Sequence, residues 1–251
     1  MEQKLKAIFK FLKENRRYNK DLQERYYSSI ILPFETKEDK LVSILYHIAS
    51  TQSKPKIDEL SIFFKSIHTD SNSLSSFNNF VDKINPNSIK NYTSLFDGMK
   101  KQKGWGDKTS ALFVKVIFHL HNKEYSHKLS IWDDTPSFLN DDKFFLPVDF
   151  VIISIFNKIR KNNWNFKNIN DFLYKYYKGK EMEVWDDLWF WGFITQHGSG
   201  TNRDFKWNEN KYWMMKESNK NENIIAEIKS KTKVFLELIN SDLTSSLRSS
   251  Q

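Results

Sequence analysis

Lys101-Gln102-Lys103-Gly104-Trp105-Gly106-Asp107-Lys108-Thr109-Ser110-Ala111-Leu112-Phe113-Val114-Lys115-Val116-Ile117-Phe118 is the stretch that sets the architecture. Three of the chain's seven glycines fall between 98 and 106. Glycine lets the backbone turn where other residues cannot, so the spacing predicts a tight connection between a helix over 88–101 and another over 107–121. The second helix is apolar nearly all round, which predicts burial. Lys108 and Lys115 interrupt it seven residues apart, on one face two turns apart.

Outward from this stretch the apolar spacing stays helical. Leu5, Ile8, Phe9 and Leu12 share a face, as do Leu41, Ile44, Leu45 and Ile48. Further helices are predicted near 57–67, 74–84, 150–161, 168–177, 181–197 and 222–240. Glycine and proline number 7 and 5, fewer than a turn-rich β fold would use, and no strand alternation stands out. The reading is an all-α protein of about ten helices. Pro33, Pro55 and Pro86 mark breaks, because proline disfavours helix in the residue before it. The polar, aromatic segment 122–146 is a long connection, of the kind that is functional or mobile as a rule. The organisation expected is 1–35 as N-terminal helices packing with the C-terminal lobe, 36–146 as a central lobe, 147–240 as the C-terminal lobe and 241–251 as a flexible tail.

Composition narrows the function classes. The 251 residues are 39% hydrophobic and 16% aromatic, enough for a packed interior. With no cysteine, a disulfide framework, a cysteine nucleophile and thiolate metal sites are excluded. No apolar run approaches the roughly 20 residues that span a bilayer. The charged start, Met1 to Tyr18, does not read as a signal peptide. A soluble intracellular protein, cytoplasmic or nucleoid-associated, with no membrane partner is expected. The formal charge of +8 suits a polyanionic partner or serves solubility alone.

Three features carry candidate chemistry. Gly104-Trp105-Gly106 between helices is either an ordinary helix–helix turn or a phosphate site, in which backbone N–H groups and the next helix's positive end meet an anion, with Lys101 and Lys103 beside it. Burial and the macrodipole both work against an ammonium at Lys108, and a neutral lysine is a nucleophile; the alternative is that Lys108 and Lys115 snorkel to solvent. In Leu146-Pro147-Val148-Asp149, the aspartate is placed to N-cap the apolar helix that follows. It is a cap alone, or also a fixed carboxylate able to stabilise a developing cation. His119 and His121 point to opposite helix faces, and no carboxylate cluster of nuclease spacing stands out, so no metal site is expected.

Gly104-Trp105-Gly106-Asp107-Lys108 followed by Pro147-Val148-Asp149 resembles the helix–hairpin–helix DNA glycosylase superfamily over roughly 90–160. The resemblance implies a helix–hairpin–helix motif at 88–121 in a two-lobed helical bundle with a cleft between the lobes. It implies that Lys108 attacks the sugar while Asp149 assists. Gln52, at the end of Leu41 to Ser53, matches the polar residue that fills the gap left by a flipped nucleotide. Lys101, Lys103, Gly104, Trp105 and Gly106 take the DNA-binding role. The closest likeness is to the archaeal-type 8-oxoguanine branch, through Lys108-Thr109 and Val114-Lys115. Asp187 and Trp191, four apart, match that branch's base pocket, which Lys115 and Leu112 would also line, with Trp189 as an alternative stacking residue. Leu112 stands where that branch places an aromatic.

The function implied is a glycosylase and abasic-site lyase that excises 8-oxoguanine from double-stranded DNA through a lysine Schiff base, acting as a monomer. No redox cofactor or catalytic metal is implied, and the one structural ion allowed is an alkali cation on hairpin carbonyls. A glycosylase for an alkylated or deaminated purine, and a non-catalytic helix–hairpin–helix DNA-binding protein, are the alternatives.

Overall fold

The computed structural model describes residues 2–139, 141–200, 202–215 and 222–241. The chain is mostly helical. Its helices are α1 (Glu2–Glu14), α2 (Arg16–Ile31), α3 (Lys37–Ser50), α4 (Ile57–His68), α5 (Phe77–Ile84), α6 (Tyr92–Lys101), α7 (Asp107–His121), α8 (Phe150–Ile159), α9 (Phe166–Leu173), α10 (Glu181–Val184), α11 (Asp187–Ile194), α12 (Glu209–Met215) and α13 (Glu222–Asn240). Helix starts fall where side chains can accept free N–H groups. Thr36 accepts from Asp39, Ser76 from Asn79 and Asn91 from Ser94, at 2.9 to 3.1 Å.

The chain divides into two compact units. Met1–Leu22, Val148–Leu173 and Val184–Gln251 form one, called the aspartate unit for Asp149. Its core draws Leu5, Ile8 and Leu12 from α1, Ile152 and Ile155 from α8, Trp191 from α11 and Phe235 from α13. Gln23–Pro147 and Tyr174–Glu183 form the other, called the hairpin unit. There Leu41, Ile44 and Leu45 join Phe77, Phe80, Phe113, Ile117 and Trp132, all fully buried or nearly so. His119 is also enclosed, between the Tyr27 hydroxyl at 2.9 Å and the Glu183 carboxylate at 2.9 Å. Its role there is to satisfy buried polar groups.

One expectation is corrected. The stretch 181–197 is not one helix. Two short helices end at Ile194, where the Thr195 hydroxyl bonds back to the Trp191 carbonyl at 2.5 Å. An antiparallel hairpin follows, β1 (Gln196–Ser199) with β2 (Asn202–Phe205), in a protein read as lacking strands. Gly198 permits it: φ is +89°, and a Cβ there would meet the Asn202 carbonyl oxygen at 2.3 Å.

The described residues of 122–146 are tied to the ends of three helices. Asp134 accepts from Phe77 N and Asn78 N at 2.8 and 3.0 Å, capping α5. Buried Asp142 accepts from Thr93 N at the start of α6, at 3.3 Å. The Trp132 indole donates to the Leu74 carbonyl at 2.8 Å, and Tyr174 hydroxyl bonds both Phe144 N and O at 2.7 Å. His121, at the end of α7, holds the segment from the other side. Its Nδ1 donates to the Ile117 carbonyl at 2.8 Å, and its Nε2 accepts from Trp132 N at 3.1 Å. Both bonds are made by the neutral ring, and burial lowers its proton affinity. The expected tail, 242–251, lies outside the described residues.

Candidate functional site

In the hairpin unit, α6 ends at Lys101 and α7 begins at Asp107, so five residues make the connection. Gly104 turns it in the left-handed region, at φ +79°, with Leu60 Cγ only 2.7 Å from where a Cβ would stand. Trp105 anchors the turn from inside. It is buried against Phe63 and Phe113, with ring centroids 5.4 and 6.0 Å away. The turn is stitched internally. Trp105 N donates to the Gln102 carbonyl, and Gly106 N to the Thr109 hydroxyl at 3.0 Å. Gly104 N donates to the Glu59 carboxylate at 3.1 Å. Thus an acidic side chain already sits where an anion was expected. Gln52, at the end of α3, donates from Nε2 to the Gly104 carbonyl at 3.2 Å, which brings two residues 52 apart in sequence onto one turn. Lys101 bonds Asn85 at 2.7 Å, and Lys103 is exposed.

Helix α7 is enclosed on every side but one. From 108 to 120, the residues that keep solvent exposure are Lys108, Leu112 and Lys115, and all the others are buried. They lie at i, i+4 and i+7, a single stripe. The arrangement is an amine at the start of the helix, an apolar patch one turn on, and a second amine one turn further.

In the aspartate unit, Asp149 caps α8. Its Oδ1 accepts from Val151 N at 2.9 Å and Ile152 N at 3.1 Å. Its Oδ2 accepts from the Trp189 indole at 2.9 Å. Both oxygens are therefore oriented by N–H donors, while the residue stays partly exposed. Trp189 is half-buried and stacks on Phe193, one turn further along α11, at 4.8 Å and 15°. Lys211 of α12 places its amine 5.0 Å from the Phe193 ring centroid. Burial lowers the proton affinity of this amine first and the nearby Arg203 guanidinium second, while Asp149 works the other way.

Asp187 and Trp191 are deeper. Asp187 is 3% exposed, accepts from Asn19 Nδ2 at 2.6 Å and has Arg16 Nε at 3.5 Å. Trp191 is fully enclosed, edge-on to Phe11 and Tyr18 at 4.9 and 5.9 Å and beside Phe235. Its indole N–H has no partner among the described residues. Of the two tryptophans, Trp189 is the one with exposed surface and a bond to Asp149.

Phe193, Lys211 and Arg203 were not anticipated. The i, i+4 relation of Trp189 and Phe193 could have found the first. Nothing in the spacing flags the two cations, which arrive through the hairpin and α12. Among the described residues no group of three His, Asp or Glu could hold a metal ion, and no helix is long and apolar enough to cross a membrane. Comparison of the chain with protein-family models, curated proteins and solved structures gives no match.

Proposed function

We propose that the protein is a DNA glycosylase with lyase activity, acting on an oxidised purine such as 8-oxoguanine in double-stranded DNA. The observation that carries this reading is the open stripe on α7. An otherwise enclosed helix leaves two lysines and the apolar residue between them partly exposed. Burying the rest of the helix holds Lys108 and Lys115 at fixed spacing, as a positioned nucleophile requires. The resemblance of Gly104-Trp105-Gly106-Asp107-Lys108 and Pro147-Val148-Asp149 to helix–hairpin–helix glycosylases supplies the reaction, and the +8 charge suits a phosphate polymer.

In this reading Lys108 attacks the sugar's anomeric carbon as the base departs, and the iminium formed permits strand cleavage. Asp149, oriented by three N–H donors, stabilises positive charge on the sugar. Leu112 and Lys115 meet the extruded base, and the exposure of Trp189 favours it over Trp191 as the stacking residue. Gln52 and the 101–106 turn hold the backbone. One observation favours a second lesion class: Leu112 offers an aliphatic surface where a flat aromatic would grip an oxidised guanine, which fits an alkylated or deaminated purine.

Borohydride trapping tests the proposal. An 8-oxoguanine duplex should give a covalent protein–DNA adduct that Lys108→Gln abolishes. A panel of damaged duplexes separates the lesion classes. Absence of any adduct with every duplex would leave a DNA-binding protein without the chemistry.

A further inference from the structure

In the aspartate unit, the stretch from Phe150 to Asn170 contains Lys158, Arg160, Lys161 and Lys167 and no aspartate or glutamate. Three of these cations crowd together where α8 ends and the loop to α9 begins. Lysines elsewhere in the unit are interleaved with acids. On α1, Lys6 lies 2.7 Å from Glu2 and Lys10 lies 3.8 Å from Glu14. Lys167 has Asp171 at 2.6 Å. Lys158, Arg160 and Lys161 are exposed and have no ion-pair partner among the described residues. A cation in the last turn of a helix complements its negative end, which accounts for Lys158. It does not account for three in close succession without an acid, and a surface built for solubility alone mixes both signs.

The loop that carries them is fastened. Arg160 N donates to the Phe156 carbonyl at 2.9 Å and closes α8. Trp164 is buried against Phe156 and Phe172, with ring centroids 5.3 and 5.7 Å away, and its indole donates to the Arg160 carbonyl at 2.8 Å. Asparagines hold the rest. Asn157 Oδ1 accepts from Asn162 N at 3.3 Å, and Asn168 Nδ2 donates to the Asn163 carbonyl at 2.7 Å. Asn165 N donates to Asn168 Oδ1 at 2.7 Å, and Asn168 N to Asn165 Oδ1 at 3.0 Å. A backbone fixed in this way spares a partner the cost of ordering it. A loop that docks on a bilayer inserts apolar side chains beside its cations. Here the aromatic residue is buried, and the exposed residues next to the cations are Asn162, Asn163 and Asn165. Cations and amides together are the groups that phosphate oxygens of a nucleic acid strand accept.

We propose that the α8–α9 loop binds the phosphodiester backbone of DNA through Lys158, Arg160 and Lys161, without regard to sequence. It stands at the opposite end of α8 from Asp149, about 15 Å along the helix, and is a contact separate from the one assigned to the lesion. It does not rest on the chemistry of Lys108 or Asp149. Each phosphate neutralised releases counterions and adds about 0.9 to the slope of log affinity against log salt.

The test measures binding of the full chain to a short undamaged duplex by fluorescence anisotropy over a series of salt concentrations. Changing Lys158, Arg160 and Lys161 together to Gln should weaken binding at least about tenfold and flatten the slope by about 2–3. The same charge removed from α1, with Lys6, Lys10 and Lys13 changed to Gln, should alter the slope by less than about 1. If the triple loop variant loses its helical circular dichroism, Lys158→Gln with Lys161→Gln, which leaves Arg160 in place, should flatten the slope by about 2. A folded loop variant with the wild-type slope, or an α1 variant equally impaired, overturns the proposal. So does wild-type protein that binds phosphatidylserine vesicles through the loop and leaves the duplex free. Borohydride trapping is read separately. Loop-dependent duplex binding by a protein that traps no damaged duplex would remove the glycosylase and keep this site, whereas trapping with a loop variant of unchanged slope would do the reverse.

Discussion

Trp189 and Asp149, 40 residues apart, are joined by an indole N–H that donates to Oδ2 at 2.9 Å, while the two first-turn amides of α8 occupy Oδ1. The carboxylate is thus fixed from two elements at once. Its orientation depends on a residue whose other face is spent on Phe193.

Trp189→Phe keeps a ring on Phe193 and deletes the donor. The lost hydrogen bond should cost about 1–2 kcal/mol in urea denaturation. Under the proposed function, single-turnover base release should slow by about tenfold or more with DNA affinity unchanged. A release rate equal to wild type would show that Oδ2 needs no external donor.

Asp149→Asn should slow base release by about a hundredfold or more, judged against the usual worth of a positioned charge in a transition state. Fluorescence anisotropy with damaged duplex should give the wild-type affinity. A wild-type rate in this variant would reduce Asp149 to a helix cap.

Within each unit, part of the candidate site was readable from residue spacing. Asp149 before an apolar run reads as an N-cap because the helix start needs acceptors, and the stripe of Lys108, Leu112 and Lys115 follows from helical period. What could not be read are partners brought in from afar. Thr93 and Asp142 are 49 apart, Asp134 and Phe77 are 57 apart, and Glu59 and Gly104 are 45 apart. Local periodicity has no access to such pairs. The β hairpin escaped for another reason: its strands are four residues each with a single buried residue between them, so no buried alternation marks them.

Glu59 occupies the Gly104 N–H, with Lys56 paired to it at 3.0 Å. These contacts hold its carboxyl below the usual carboxylate range. A phosphate approaching the turn meets this charge first. Glu59→Gln should therefore tighten binding to an undamaged duplex, by about two- to fivefold at low salt, with the gain shrinking as salt rises. Weaker or equal binding in a filter assay would show that the turn does not receive the backbone.

Gly104→Ala adds a Cβ in the left-handed region and against Leu60. The loss should be about 2 kcal/mol or more, read from the urea midpoint. Gly106→Ala, where nothing lies within 4 Å of the added carbon, should cost less.

His121 sets a pH dependence. Burial lowers its folded proton affinity below the ordinary histidine value, so the unfolded chain binds the proton more readily. Above about pH 6.5 the group contributes no pH dependence; below it, stability falls until the folded ring itself protonates. Comparing unfolding free energies at pH 7.5 and 5.5, wild type should lose more than His121→Gln, which has no proton to gain.

The pinning of 122–146 also governs how the protein can be cut or extended. Asp134 holds the start of α5, Asp142 the start of α6, and His121 ties the end of α7 to Trp132. Limited proteolysis should spare this irregular stretch, and a tag or reporter domain inserted after Trp132 would unseat three helix ends together. In engineering terms the segment is a brace, and grafts belong elsewhere.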